Sequence, residues 1–144
     1  SGGGVITNIA IVTGNEVDSD VTNNSATAST TVILLVPVDI KPQSCPNPLN
    51  VNSKDILPIA ILGTSGFDVT QVDPTSVKLE GVSPLRSALE DVSTPFVPFT
   101  GKQTALDCTT AGPDGFVDLT LKFDAKAVVA ALGTVTNREV RVLQ

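Results

Sequence analysis

Apolar β-branched residues interleave with small polar ones in two stretches near the start of the chain, VITNIAIVT at 5–13 and ATASTTVILLV at 26–36. Enrichment in β-branched residues predicts strands rather than helices. The polar run Gly14-Asn-Glu-Val-Asp-Ser-Asp-Val-Thr-Asn-Asn24 separates them, so the expectation is one β-hairpin with a long loop. Such a hairpin is at best marginally stable alone in water, and it therefore needs a partner surface.

The texture changes at Val36 to Val38, which divides the chain into an N-terminal hairpin, residues 1–36, and a second region, 37–144. Short apolar runs between Pro and Gly clusters predict strands near 38–41, 48–51, 56–62, 76–80 and 116–123, with a last one at 138–143. Asp39-Ile-Lys41 reads as a strand with exposed charges. Arg86 and Glu90 read as an ion pair on a short turn. One helix is expected: Asp124 can cap the N-terminus of Ala-Lys-Ala-Val-Val-Ala-Ala-Leu132, and Gly133 can close its C-terminus.

Composition narrows the function classes. Net charge is −6, and the nine Lys and Arg are scattered, which argues against a nucleic-acid partner. There is no Trp, no Tyr and only five Phe, so sugars and bases have few rings to stack on. The absence of His removes the usual general base and zinc ligand. The apolar run Val32 to Val36 is far too short for a membrane span, and no signal peptide opens the sequence; an exported protein would have had its signal removed or carried elsewhere.

Cys45 and Cys108 are the sole sulfur-bearing residues, both beside Pro- or Gly-rich loop sequence. One disulfide explains them better than two separate structural thiols, and it places the protein in an oxidising compartment.

Two resemblances follow from motifs. Thr7-Asn8-x-Ala10-x-Val12-Thr13, Asp18-Ser-Asp20 and Asn23-Asn24-Ser-Ala26 resemble the last two strands of an immunoglobulin-like repeat of bacterial surface proteins. Asp39-Ile-Lys-Pro42, Pro58-Ile-Ala-Ile-Leu-Gly-Thr64, Phe67-Asp-Val69, Asp73-Pro74, Leu89-Glu-Asp-Val92 and Asp114-Gly-Phe-Val-Asp-Leu119 are similar, in order, to a module recurrent in secreted and cell-surface bacterial proteins. Abundant Val, Thr, Ile and Leu punctuated by ten Pro and eleven Gly give an all-β reading, and these resemblances imply an immunoglobulin-like β-sandwich with one short helix near the C-terminus behind a two-stranded hairpin. They also imply a secreted or cell-surface location and no established catalysis.

Asp114-Gly115-Phe116-Val117-Asp118 has the order of the second half of a calcium loop: carboxylate, Gly for the turn, backbone carbonyl, second carboxylate. The resembling module writes its loop without interruption after a Glu. Here Glu90-Asp91 would begin the loop, residues 93–112 would interrupt it, and a Cys45–Cys108 bridge would hold the halves together. The expected calcium ligands are Asp91, Asp114, Asp118 and the Phe116 carbonyl, with Glu90, Asp107 or water in addition. The competing reading is a plain Asp-Gly turn with Asp118 facing solvent. The polar Asp18, Asp20, Asn23, Asn24 loop is read as an ordinary solvated connection.

Together these features point to a non-catalytic structural or adhesive module of an extracellular or cell-surface assembly. Its partners would be further copies or neighbouring surface domains joined through strand edges, generating filaments. The alternative is a calcium-dependent carbohydrate-binding accessory module of a secreted enzyme. Carboxylate-based hydrolysis through Glu90 is a third, weaker reading.

Overall fold

Strands β1 (Gly4–Ile11) and β2 (Ser25–Val32) form the expected antiparallel hairpin, with Gly4 opposite Val32 and Ile11 opposite Ser25. The structure is a computed structural model, and it describes residues 4–52, 55–98, 100–136, 139–141 and 143. The chain divides into two compact units, Ser1–Leu34 and Leu35–Gln144. Opposed residues in an antiparallel ladder share a face. One hairpin face therefore carries Ile6, Asn8, Ala10, Ala26, Ala28 and Val32, the other Val5, Ile9 and Ile11 among Thr and Ser. Every residue of both strands is exposed.

The second unit is built on one antiparallel sheet of four strands: β3 (Val38–Ile40), β4 (Ile56–Ile61), β5 (Arg86–Glu90) and β6 (Asp118–Asp124), in the spatial order β3-β4-β6-β5. Alternation settles the faces. Leu57, Ile59 and Ile61 stand opposite Phe123, Leu121 and Leu119, and these residues turn to one side. That side is covered by helix α1 (Ala125–Leu132) and by the segment from Val69 to Leu79, with Val69, Leu79, Ala125 and Val128 completing the buried cluster. Among the described residues this second layer contains no second sheet.

Local chemistry explains the connections. Asp124 caps α1 by accepting from Lys126 N at 2.8 Å and Ala127 N at 3.2 Å, as the sequence predicts. Gly133, at φ +70°, ends the helix, and Arg141 Nη1 donates to the last-turn carbonyl of Leu132 at 2.9 Å. Asp68 and Asp73 cap the 3₁₀ turns Val69–Gln71 and Pro74–Ser76 by the same device, each accepting from the amide and hydroxyl of a Thr two residues on. Pro58 is tolerated within β4 because β3 ends beside it: Lys41 N donates to Pro58 O at 2.8 Å, and no return bond from Pro58 is required.

Several expectations are corrected. Residues 48–51 form no strand, since Pro46 and Pro48 lack the donors a ladder needs. Residues 76–80 make only an isolated bridge between Leu79 and Val82, because the backbone turns through positive φ at Glu80 and Gly81. Of 138–143, positions 138 and 142 lie outside the described residues, and Glu139 to Arg141 join no strand. Arg86–Glu90 is strand β5 instead of a turn. Residues four apart in a strand are about 13 Å apart, beyond ion-pair range. Among the described residues the one ion pair joins Arg141 to Glu139 at 2.6 Å.

Candidate functional site

Asp118 opens β6 on the sheet face away from the apolar cluster and is completely buried. Its side chain gathers three amides: Gly63 N donates to Oδ1 at 2.9 Å, Val92 N and Ser93 N to Oδ2 at 2.9 and 3.2 Å. A buried carboxylate is tolerated when backbone donors satisfy it. Asp118 thus fastens the chain leaving β4 to the chain leaving β5. Gly63 is required at this junction, because a Cβ there would lie 2.2 Å from the Val117 carbonyl oxygen.

Ser93 extends the network. Its buried hydroxyl donates to Asp39 Oδ2 at 2.6 Å, with the Ala111 carbonyl also near at 3.3 Å. Asp39, expected as an exposed strand charge, is 95% buried in fact, with 5% of its surface left to solvent. Burial pushes its carboxyl above the ordinary aspartate value. The Ser93 bond, the Lys102 charge and the Gln43 amide oppose that rise, while the Asp118 charge adds to it. Lys102 donates to the Val38 carbonyl at 3.3 Å and stands over the Phe96 ring at 5.6 Å.

The remaining expected ligands serve the main chain as well. Asp91 accepts from Asp114 N at 3.1 Å and from Gly115 N at 2.8 Å, so the two halves of the interrupted loop do meet. Asp114 Oδ1 accepts from Phe116 N at 3.1 Å, across a turn in which Gly115 has φ +95°. Glu90 Oε2 accepts from Thr120 Oγ1 at 3.2 Å. Asp107 Oδ2 accepts from Gln103 N and Thr104 N at 2.7 and 2.8 Å, bonds that lower its pKa. In the hairpin loop, Asp18 and Asp20 close Asx turns onto Asp20 N and Thr22 N.

The disulfide is present: Cys45 and Cys108 are bonded, with Cα atoms 5.5 Å apart across 63 residues. It ties the turn after β3 to the long segment between β5 and β6. Gln43 Nε2 adds a bond to the Val92 carbonyl at 3.1 Å, and Thr94 Oγ1 one to Gly112 O at 2.8 Å.

Asp91, Asp114 and Asp118 thus serve the same junction of the fold but accept from different amides. Among the described residues no three acidic or sulfur side chains gather as a cation nest. Calcium remains an expectation of the sequence. The turn of the alternative reading is present at Asp114-Gly115, but Asp118 faces the interior instead of solvent. Sequence reasoning missed Gly63, Ser93 and the burial of Asp39. Only Gly63, which directly follows an apolar run, carried a local signal.

No family model, curated protein or solved structure matches the chain.

Proposed function

We propose that this protein is a non-catalytic structural module of an extracellular or cell-surface assembly, joined to its neighbours through strand edges of the hairpin 4–32. One observation carries the reading: two eight-residue strands form a regular ladder while every residue in them stays exposed. Val5, Ile6, Ile9, Ile11 and Val32 are among those exposed side chains. A two-stranded sheet of this kind is marginal alone, and its outer edges offer unused main-chain donors and acceptors. Strand addition satisfies both needs at once.

The disulfide supports an oxidising compartment. Among the described residues no helix is long and apolar enough to cross a membrane. An immunoglobulin-like sandwich over residues 37–144 belongs to this proposal too, supported by the antiparallel four-stranded sheet and the one helix near its C-terminal end.

Sedimentation of the whole chain against a variant lacking residues 1–34 tests the reading. The second unit has its own buried core and is expected to remain folded after the deletion. The whole chain should self-associate with rising concentration, and the shortened one should sediment as a monomer. Equal behaviour of the two would remove the hairpin from any assembly role.

A further inference from the structure

The four-stranded sheet ends at β5, whose five residues are all exposed. Leu89 and Leu119 are paired across β5 and β6 and so face the same side, yet Leu119 is 2% exposed and Leu89 54%. The covering layer stops between them. A groove of about 250 Å³ results, lined by Val69, Val72, Pro74, Leu89 and Leu119, with Thr70, Ser87 and Ala88 at its margins. It is smaller than the clefts that enclose small-molecule ligands, roughly 300–1,000 Å³. Side chains projecting from an added strand fit such a space better.

We propose that β5 is the docking edge for β1 of a second copy of this chain, which continues the sheet and lays Val5, Ile9 and Ile11 over the groove beside Leu89. The inference rests on the reading of the hairpin as an assembly element and names its receptor.

Three observations select this occupant. No residue lining the groove is charged, and neither β1 nor β2 contains a charged residue. In a chain of net charge −6, copies repel elsewhere, so an uncharged strand on an edge whose two charges, Arg86 and Glu90, cancel is where they can meet. The alternation also matches: Val5, Ile9 and Ile11 share one face of β1, while Asn8 points to the other, the side on which Arg86 and Glu90 lie in β5. Finally, β1 is bonded to β2 along one edge only, and its eight residues can span all five of β5. Because donor and receptor are different surfaces, the contact is head-to-tail and can propagate.

The test uses full-length chains. Variants Asn8→Cys and Ala88→Cys, prepared separately and mixed under mild oxidation, should yield a mixed disulfide dimer on a non-reducing gel, with Ile6→Cys and Ala10→Cys covering a shift in register. No native free thiol competes, since both cysteines are paired. Leu89→Lys should weaken self-association about tenfold or more in ultracentrifugation. Leu89→Ile should keep it, and a thermal melt confirms that both variants fold. Self-association should also strengthen with added salt, as expected for neutral surfaces on like-charged bodies. Absence of any mixed dimer across the three registers, or unchanged association in Leu89→Lys, overturns the assignment of β5. If association is lost on deleting 1–34 yet survives Leu89→Lys, the hairpin reading stands and only its receptor is wrong.

Discussion

The hairpin and the four-stranded sheet are both antiparallel ladders with Ile at several positions. The hairpin strands are otherwise mostly Thr, Ala, Ser and Val, without Leu or charge, whereas the sheet strands add Leu, Phe and six charged residues. In the hairpin no strand residue is buried, whereas β6 buries five of its seven. Pattern decides which side chains share a face. Burial needs a covering layer, which the sheet receives from α1 and the Val69 to Leu79 segment. Hydrophobic sequence without that layer is surface, and a surface of this kind is where a partner gains most.

The largest effect that can sharpen this contrast comes from the disulfide. Replacing Cys45 and Cys108 by Ala reopens a 63-residue separation. That should lower the stability of the second unit by about 4 kcal/mol in denaturant titrations, less any strain relieved. Hairpin amide exchange should not change. A uniform loss in both regions would mean that they unfold as one body.

Next comes a pair of truncations. Leu121→Ala removes a fully buried side chain and should cost about 3 kcal/mol, while Ile9→Ala in the dilute chain should cost under about 0.5 kcal/mol. An Ile9→Ala loss as large as that of Leu121 would show that the hairpin has a hidden packing partner. Gly63→Ala tests the amide knot: the contact at 2.2 Å with a backbone oxygen forces a shift, and about 2–3 kcal/mol should be lost. Gly66→Ala, with nothing within 4 Å, is the control and should be near neutral.

The pH dependence is subtler. The Asp39 carboxyl is raised in the folded protein above the usual 3.8, mainly by burial. The folded state then binds this proton more tightly than the unfolded state does. The associated stability is complete below the unfolded value and is lost as pH rises through the folded one. Asp39→Asn keeps an acceptor for Ser93 but cannot ionise. The variant should gain on the wild type as pH climbs from 4 towards neutrality, measured as a difference of two unfolding curves. A constant difference across that range would discard the buried charge as its cause. The smallest effect is expected from metal: because Asp91 and Asp118 are engaged by amides, adding calcium or a chelator should move the melting temperature by less than about 1 °C. A rise of several degrees would support the calcium loop.

The hairpin, β4, β6, the capped helix and the cysteine bridge were legible in the sequence, because each is announced by a β-branched or apolar run, by a capping residue or by elimination among residue types. β5 was not. Arg86-Ser-Ala-Leu-Glu90 holds one large apolar side chain, and only the open edge of β6 makes it a strand. The meeting of Asp91 with Asp114 and Gly115 was foreseen in space, and there the Asp91 carboxylate accepts two main-chain amides. Asp39 looked solvated because its own neighbours are polar and charged, and it is buried by Ser93 and the segment that follows.

By itself the sequence determined periodicity, caps, turns and the oxidised cysteine pair, all of which depend on residues close in the chain or on composition. Tertiary structure alone decided which faces are covered, which carboxylates point inward and which edges stay open. Those outcomes depend on what arrives from distant segments, and desolvation acts on every group that is covered, whatever its local pattern.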